Sequence, residues 1–295
     1  MSRKNGEYSH ANLDEAERHR MKKKFFENLV LHSILIVIPL IMITPFLWTL
    51  STSLKGQNEA VFSFPPKFIP ETFTLENYAI VWNTLSIPRY FLNSMILAVF
   101  GVILPVILCS MAAFPLARMD FRGKQAVFLV IMGTMMIPGE VTMIPTYLII
   151  NRIGLMGSYA GIILPGAVSA FGIFLMRQAF LTIPGEMEES AVIDGAKVWQ
   201  IWLYIFLPMV KPSIATLSIL SFIGAWNNFL WPLLILNNPD TYPLTLGLYK
   251  LQGTFVANTR LIASGAILAL IPILIVFLFF QRYFIEAAYS SAVKG

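Results

Sequence analysis

Charge is scarce in this chain. Only 13% of its 295 residues are Asp, Glu, Lys or Arg, 57% are hydrophobic, and the mean hydropathy is +0.70. A soluble domain of this size needs far more charged surface, so the composition indicates an integral membrane protein. Cysteine is nearly absent too: Cys109 stands alone inside an apolar run, which excludes a disulfide framework and a cysteine metal cluster. The sequence has no G-x-x-x-x-G-K-[ST] phosphate loop, so it lacks the cradle of backbone amides that nucleotide phosphates need. Internal repeats, low-complexity tracts and a second soluble domain are also missing. The net charge is +5, but the basic residues are not spread as a nucleic-acid-binding face would be, and no nucleic-acid partner is expected.

What the chain does have is long apolar runs. A hydrocarbon core of about 30 Å takes about 20 helical residues to cross. Six stretches meet that length, at 30–50, 91–115, 126–150, 159–179, 208–236 and 262–283. The expected fold class is therefore all-α, a polytopic membrane protein with six transmembrane helices. Pro138-Gly139 and Pro145 interrupt the third stretch, and Trp231-Pro232 interrupts the fifth. Proline is tolerated in a membrane helix where neighbouring helices or water satisfy the freed carbonyls, so each break marks either a lined pathway or a packing kink.

Fifteen of the 21 Lys and Arg fall in the N-terminal tail and the connections on its side of the membrane, and six on the other side. By the positive-inside bias both termini are expected in the cytoplasm. Val30 to Leu50 is too long for a signal-peptide core and is followed by no clear A-x-A site, so it reads as a retained first span. Leu13 to Asn28 mixes charge with Phe25 and Phe26 and reads either as an interfacial helix or as a disordered basic tail. Residues 1–29 then form a cytoplasmic tail, 30–285 the six-span domain, and 286–295 a second cytoplasmic tail. On the outer side lie a loop at 51–90, a short one near 151–158, and one at 237–261 that contains Thr254.

The most polar interior segment is the cytoplasmic loop at 182–208. Pro184 suits a first helical turn with Thr182 or Ile183 as the cap, and Glu186, Glu188 and Glu189 sit where a helix dipole favours negative charge. For Glu186 and Glu188 the plain reading is a solvated helix end. Asp194-Gly195 is a stop signal, after which a second helix through Trp199, Trp202 and Tyr204 leads to Leu207-Pro208.

Glu189-Ser190-Ala191, three residues, Gly195, nine residues, Ile205, one residue and Leu207-Pro208 together resemble the EAA loop of ABC importer permeases. All spacings match; Ser190 replaces the usual Ala, small for small. Phe64-Pro-Pro-Lys-Phe-Ile-Pro70 with Asn77-Tyr78, Phe91-Leu-Asn-Ser94, Ala112-Ala-Phe-Pro-Leu-Ala-Arg118, Trp226-Asn-Asn-Phe-Leu-Trp-Pro232 and the closing Val293-Lys-Gly295 are similar to the carbohydrate-uptake branch, in particular the shorter, six-span partner of the maltose-type heterodimer. The resemblance implies a type I ABC importer permease in a bacterial cytoplasmic (inner) membrane. It implies a second permease subunit, two ABC ATPase subunits that use ATP and Mg, and an extracytoplasmic sugar-binding protein, with no cofactor on this chain. Carried over, Glu189, Ser190, Ala191, Asp194, Gly195, Leu207 and Pro208 are the ATPase-coupling positions. The loop from Asn237 to Gly253 matches in position one that reaches into the binding protein.

Charge inside an apolar span is costly, so Glu140 is a candidate pathway residue; it also suits a pairing with a partner's cation or a place near the outer interface. Trp226, Asn227, Asn228 and Trp231 combine aromatic platforms with amides, which suits sugars, although interfacial anchoring and interhelical hydrogen bonds explain them as well. Asn93 and Ser94 read as helix-packing residues. Two other classes stay open: a self-sufficient ion-coupled transporter, which calls for intramembrane acidic or basic pairs and for which Glu140 alone is thin support, and a membrane scaffold, which leaves the spaced loop unexplained.

Overall fold

The computed structural model describes residues 4–252 and 258–292. Thr254 and the closing Val293-Lys-Gly295 lie outside the described residues. In chain order the helices are α1 (Lys4–Ser53), α2 (Glu76–Thr84), α3 (Ile87–Arg118), α4 (Lys124–Thr134), α5 (Gly139–Arg152), α6 (Tyr159–Ile163), α7 (Ala170–Leu181), α8 (Gly185–Ile193), α9 (Val198–Gln200), α10 (Leu207–Met209), α11 (Lys211–Trp226), α12 (Leu230–Ile235), α13 (Leu244–Tyr249) and α14 (Thr259–Ala292). A π-helical segment, Ile201–Phe206, joins α9 to α10. One isolated bridge, Lys55 to Phe73, is the β-structure among the described residues.

Three single helices are long and apolar enough to cross a membrane: Asn28–Ser53, Ile87–Arg118 and Thr259–Phe279. Three more candidate spans are bent pairs: α4 with α5 at 99°, α6 and its 3-10 extension with α7 at 48°, and Val198–Met209 with α11 at 84°. Counting each pair once gives up to six spans. The third expected span is thus not one straight rod: it breaks before Pro138, which caps α5 and biases the residue before it away from helix. The fifth, expected over 208–236, breaks twice. It turns sharply at Val210, between Pro208 and Pro212, and ends at Trp226, so that Trp231 and Pro232 belong to the separate α12. Leu13 to Asn28 has helical backbone continuous with the first span.

α3 is the central element, packed against both α7 and α11. Its buried stripe runs through Leu97 and, two turns on, Pro105, then Cys109, Ala113 and Leu116 at spacings of three or four, on one helical face. Small residues let its neighbours come close. A Cβ on Gly101 would stand 2.8 Å from the Ala225 Cβ on α11, and one on Gly172 of α7 would stand 2.8 Å from Cys109 Sγ. Where lipid tails are as apolar as leucine, such close backbone approach is what holds helices together.

The loop after α1 is tied down by one amide. Asn77 is fully buried; its Nδ2 donates to the Ser53 carbonyl at 2.9 Å and the Lys55 carbonyl at 2.8 Å, and its Oδ1 accepts from Gln57 Nε2 at 2.7 Å. Asn93 and Ser94 do more than pack helices. Asn93 Nδ2 donates to the carbonyls of Asp240 and Tyr242, and Ser94 Oγ accepts from the Leu244 amide, so the loop after α12 is pinned to α3.

Candidate functional site

The loop at 182–208 folds as two short arms around one glycine. Pro184 occupies the cap position itself, one or two residues later than the Thr182 or Ile183 the sequence suggested, and α8 runs from Gly185 to Ile193. Gly195 follows with φ of +81°, in the left-handed region. The Ala196 amide donates to the Ala191 carbonyl at 2.9 Å and the Gly195 amide to the Val192 carbonyl at 3.0 Å, the bond pair of a Schellman motif. Gln200 Oε1 then accepts from the Lys197 amide at 2.7 Å and starts the second arm.

Beneath the arms three phenylalanines meet edge to face. Phe114 of α3, Phe180 of α7 and Phe206 of the π-helix have centroids 5.2–6.0 Å apart, and all three are buried. Aromatic trios of this kind fix geometry as well as burying area. Ala191 is buried against the same cluster, so its small size serves the fold's own packing. Ser190 Oγ donates back to the Glu186 carbonyl at 2.7 Å. Glu189, Asp194, Gly195 and Pro208 are exposed and Leu207 is half-buried, while Val192 and Ile193 project apolar surface beside the acidic residues. Glu188 is not a free, solvated end: its Oε2 accepts from Arg118 Nε at 2.9 Å.

A second concave region lies between α3, α7 and α11. It has a volume of about 340 Å³ and is walled by Leu97, Pro105, Phe171 and Leu220, with Ser221 and Asn228 supplying polar groups. That volume is within the ~300–1,000 Å³ common for small-molecule sites.

The expected pathway residues scatter. Asn228 lines this cleft. Its neighbour Asn227 caps α11 and is exposed. Trp226 is 1% exposed, stacked on Phe222, and its Nε1 donates to the Ala269 carbonyl at 3.1 Å, so its ring is consumed in joining α11 to α14. Trp231 is half-buried and donates to the Gly161 carbonyl at 3.1 Å, joining α12 to α6. Glu140 is exposed in the first turn of α5, away from the cleft lining. Reading the sequence missed Arg118 and the phenylalanine trio; the only signal was that Arg118 closes a run already singled out.

Residues 106–287 match the family described as the binding-protein-dependent transport system inner membrane component. The arabinooligosaccharides transport system permease protein of Bacillus subtilis is 34% identical over 261 residues, which is 88% of this chain and 93% of that protein. The sn-glycerol-3-phosphate transport system permease protein of Rhizobium meliloti is 34% identical over 275 residues, 90% of this chain and 97% of that protein. Among solved structures, a bacterial ABC transporter involved in the import of the acidic polysaccharide alginate contains a chain that is 26% identical with a TM-score of 0.77, covering 87% of this chain and 96% of that one.

Proposed function

Because this chain belongs to the family of binding-protein-dependent transport system inner membrane components, we propose that it is the membrane-spanning permease subunit of an ATP-driven sugar importer, carrying an oligosaccharide inward by alternating access. Its fold is the type I ABC importer permease fold, and it is a multi-pass membrane protein. Two ABC ATPase subunits hydrolyse ATP with Mg, a second permease completes the pathway, and an extracytoplasmic binding protein delivers the sugar. Both termini face the cytoplasm.

The observation that carries this reading is the geometry of the 182–208 loop. A short helix, stopped by Gly195, offers Glu189, Val192, Ile193 and Asp194 as a mixed acidic and apolar knob, the shape and chemistry that a cleft on an ATPase can hold. Asn228 is the residue best placed to offer an amide to sugar hydroxyls. The similarity to a sn-glycerol-3-phosphate permease favours a second substrate class. Measuring the ligand of the binding protein that co-purifies with the chain, by calorimetry with both classes, separates them.

Tagged chain, expressed with the subunits it assembles with, tests the coupling. An ATPase is expected to co-purify and to hydrolyse ATP in response to loaded binding protein. Gly195→Pro removes the amide bonded to Val192 and forbids the positive φ, so that association and transport are lost. Intact assembly and transport by this variant would falsify the proposal.

A further inference from the structure

One guanidinium holds both arms of the loop. Arg118 is the last residue of α3. Its Nε donates to Glu188 Oε2 at 2.9 Å and its Nη2 to the Pro184 carbonyl at 3.4 Å, both on the arm before Gly195. The face of the same group lies 4.9 Å from the centroid of Phe206, on the arm after it. The pair is largely withdrawn from water, with side chains 12% and 28% exposed. In that setting a charge-assisted bond is stronger and less screened by salt than on an open surface. An arginine is suited to this task and a lysine is not, because three contacts in different directions need a planar fork and a stacking face together.

The other end of α3 carries a different set of contacts. Leu97 and Pro105 line the cleft, and Asn93 and Ser94 hold the loop after α12 through the carbonyls of Asp240 and Tyr242 and the amide of Leu244. Leu97 and Arg118 are 21 residues apart on one helix, a span of about 30 Å at ~1.5 Å per residue. The helix is therefore a rod with the loop after α12 at one end, the cleft along its side, and the loop at 182–208 clamped to the other end.

We propose that Arg118 is the positioning residue that transmits displacement of α8 to α3, so that movement at the cytoplasmic loop reshapes the cleft. This rests on the coupling role proposed above for that loop. A simple packing contact would fix stability alone; a clamp on both arms makes the loop and α3 move as one body. Without it, α8 is free to follow an ATPase while α3 stays behind, and ATP is hydrolysed without transport.

The test uses the full importer, purified with its ATPase, second permease and binding protein and reconstituted in liposomes. ATPase co-purification is read first, then sugar transported per ATP hydrolysed. Arg118→Gln and Glu188→Gln are expected to keep the ATPase bound and each to lower the transport-to-ATP ratio about tenfold, the scale of one lost charged hydrogen bond. The double variant is expected to be no worse than Arg118→Gln, because both changes remove the same contact. Arg118→Lys keeps the charge on a flexible stem, and it covers the case in which Arg118→Gln does not assemble. It is expected to assemble and still to fall below wild type. A wild-type ratio in Arg118→Gln or Arg118→Lys, or additive losses in the double variant, overturns the proposal. Wild-type chain that retains no ATPase would instead sink the coupling reading, which keeps the two failures apart.

Discussion

Lys55 is fully buried, and its Nζ makes no hydrogen bond. Its compensation is indirect: Glu59 Oε1 at 3.9 Å and the Trp48 ring at 5.1 Å. Glu59 is better satisfied, since its Oε2 accepts from the amides of Glu71 and Thr72, and its own carbonyl accepts from Arg260. The two halves of the pair should therefore be unequal. Glu59→Ala strands a buried cation and two amides and is expected to cost about 3 kcal/mol, within the range for breaking a buried pair from one side. Lys55→Met leaves the buried Glu59 carboxylate without its cation but still holding the amides of Glu71 and Thr72, and is expected to cost less than Glu59→Ala. Thermal unfolding of the detergent-solubilised chain checks the order; equal losses would contradict it. In the sequence Lys55 is merely an outer-side charge. Its partner Glu59 is itself tied through its carbonyl to Arg260, some 200 positions away, and no local pattern carries that. Trp226 shows the same limit from the other side: residue type suggested a sugar platform, whereas its neighbours Phe91, Phe222 and Ala269 make it a packing centre.

At the scale of elements, the α8 arm depends on one backbone conformation. A Cβ added at Gly195 would meet nothing within 4 Å, so the cost of a side chain there is the positive φ alone. Gly195→Ala is expected to destabilise the end of α8 by about 1 kcal/mol, and Gly195→Asn by less, because asparagine tolerates the left-handed region. Amide exchange at Ala196, whose N–H closes the motif onto Ala191, should speed up about fivefold in the Ala variant. A faster rate in Asn than in Ala would refute the conformational explanation. This element was legible because its signals are local: glutamates near a helix start and the stop at Asp194-Gly195. The π-helical Ile201–Phe206 was not readable in the same way, since an extra residue per turn leaves no compositional mark. Nor was the Arg118–Glu188 clamp, which joins positions 70 residues apart.

For the whole molecule, apolar run length was enough to count candidate spans, but not their shape. Prolines announced the break near 138 without specifying its bend of 99°, because the direction a broken helix takes is set by what it packs against. The 84° bend between Met209 and Lys211 was not announced at all, since the expected interruption of that stretch was Trp231-Pro232. Orientation rests on a different term, the electrostatic bias of Lys and Arg toward the cytoplasmic face, which sums over loops and needs no packing detail. That makes it testable with little interference from the fold. Cys109 is fully buried and is the only cysteine, so the native chain offers a membrane-impermeant maleimide almost no background target. Asn237→Cys places a thiol on an exposed loop residue beyond α12, and Asp120→Cys places one on the fully exposed turn after α3. In right-side-out vesicles Asn237→Cys is expected to label at once and Asp120→Cys only after permeabilisation. The reverse pattern would put the 182–208 loop, which lies on the Asp120 side through the Arg118 clamp, out of reach of any cytoplasmic ATPase, and the importer reading would fall with it.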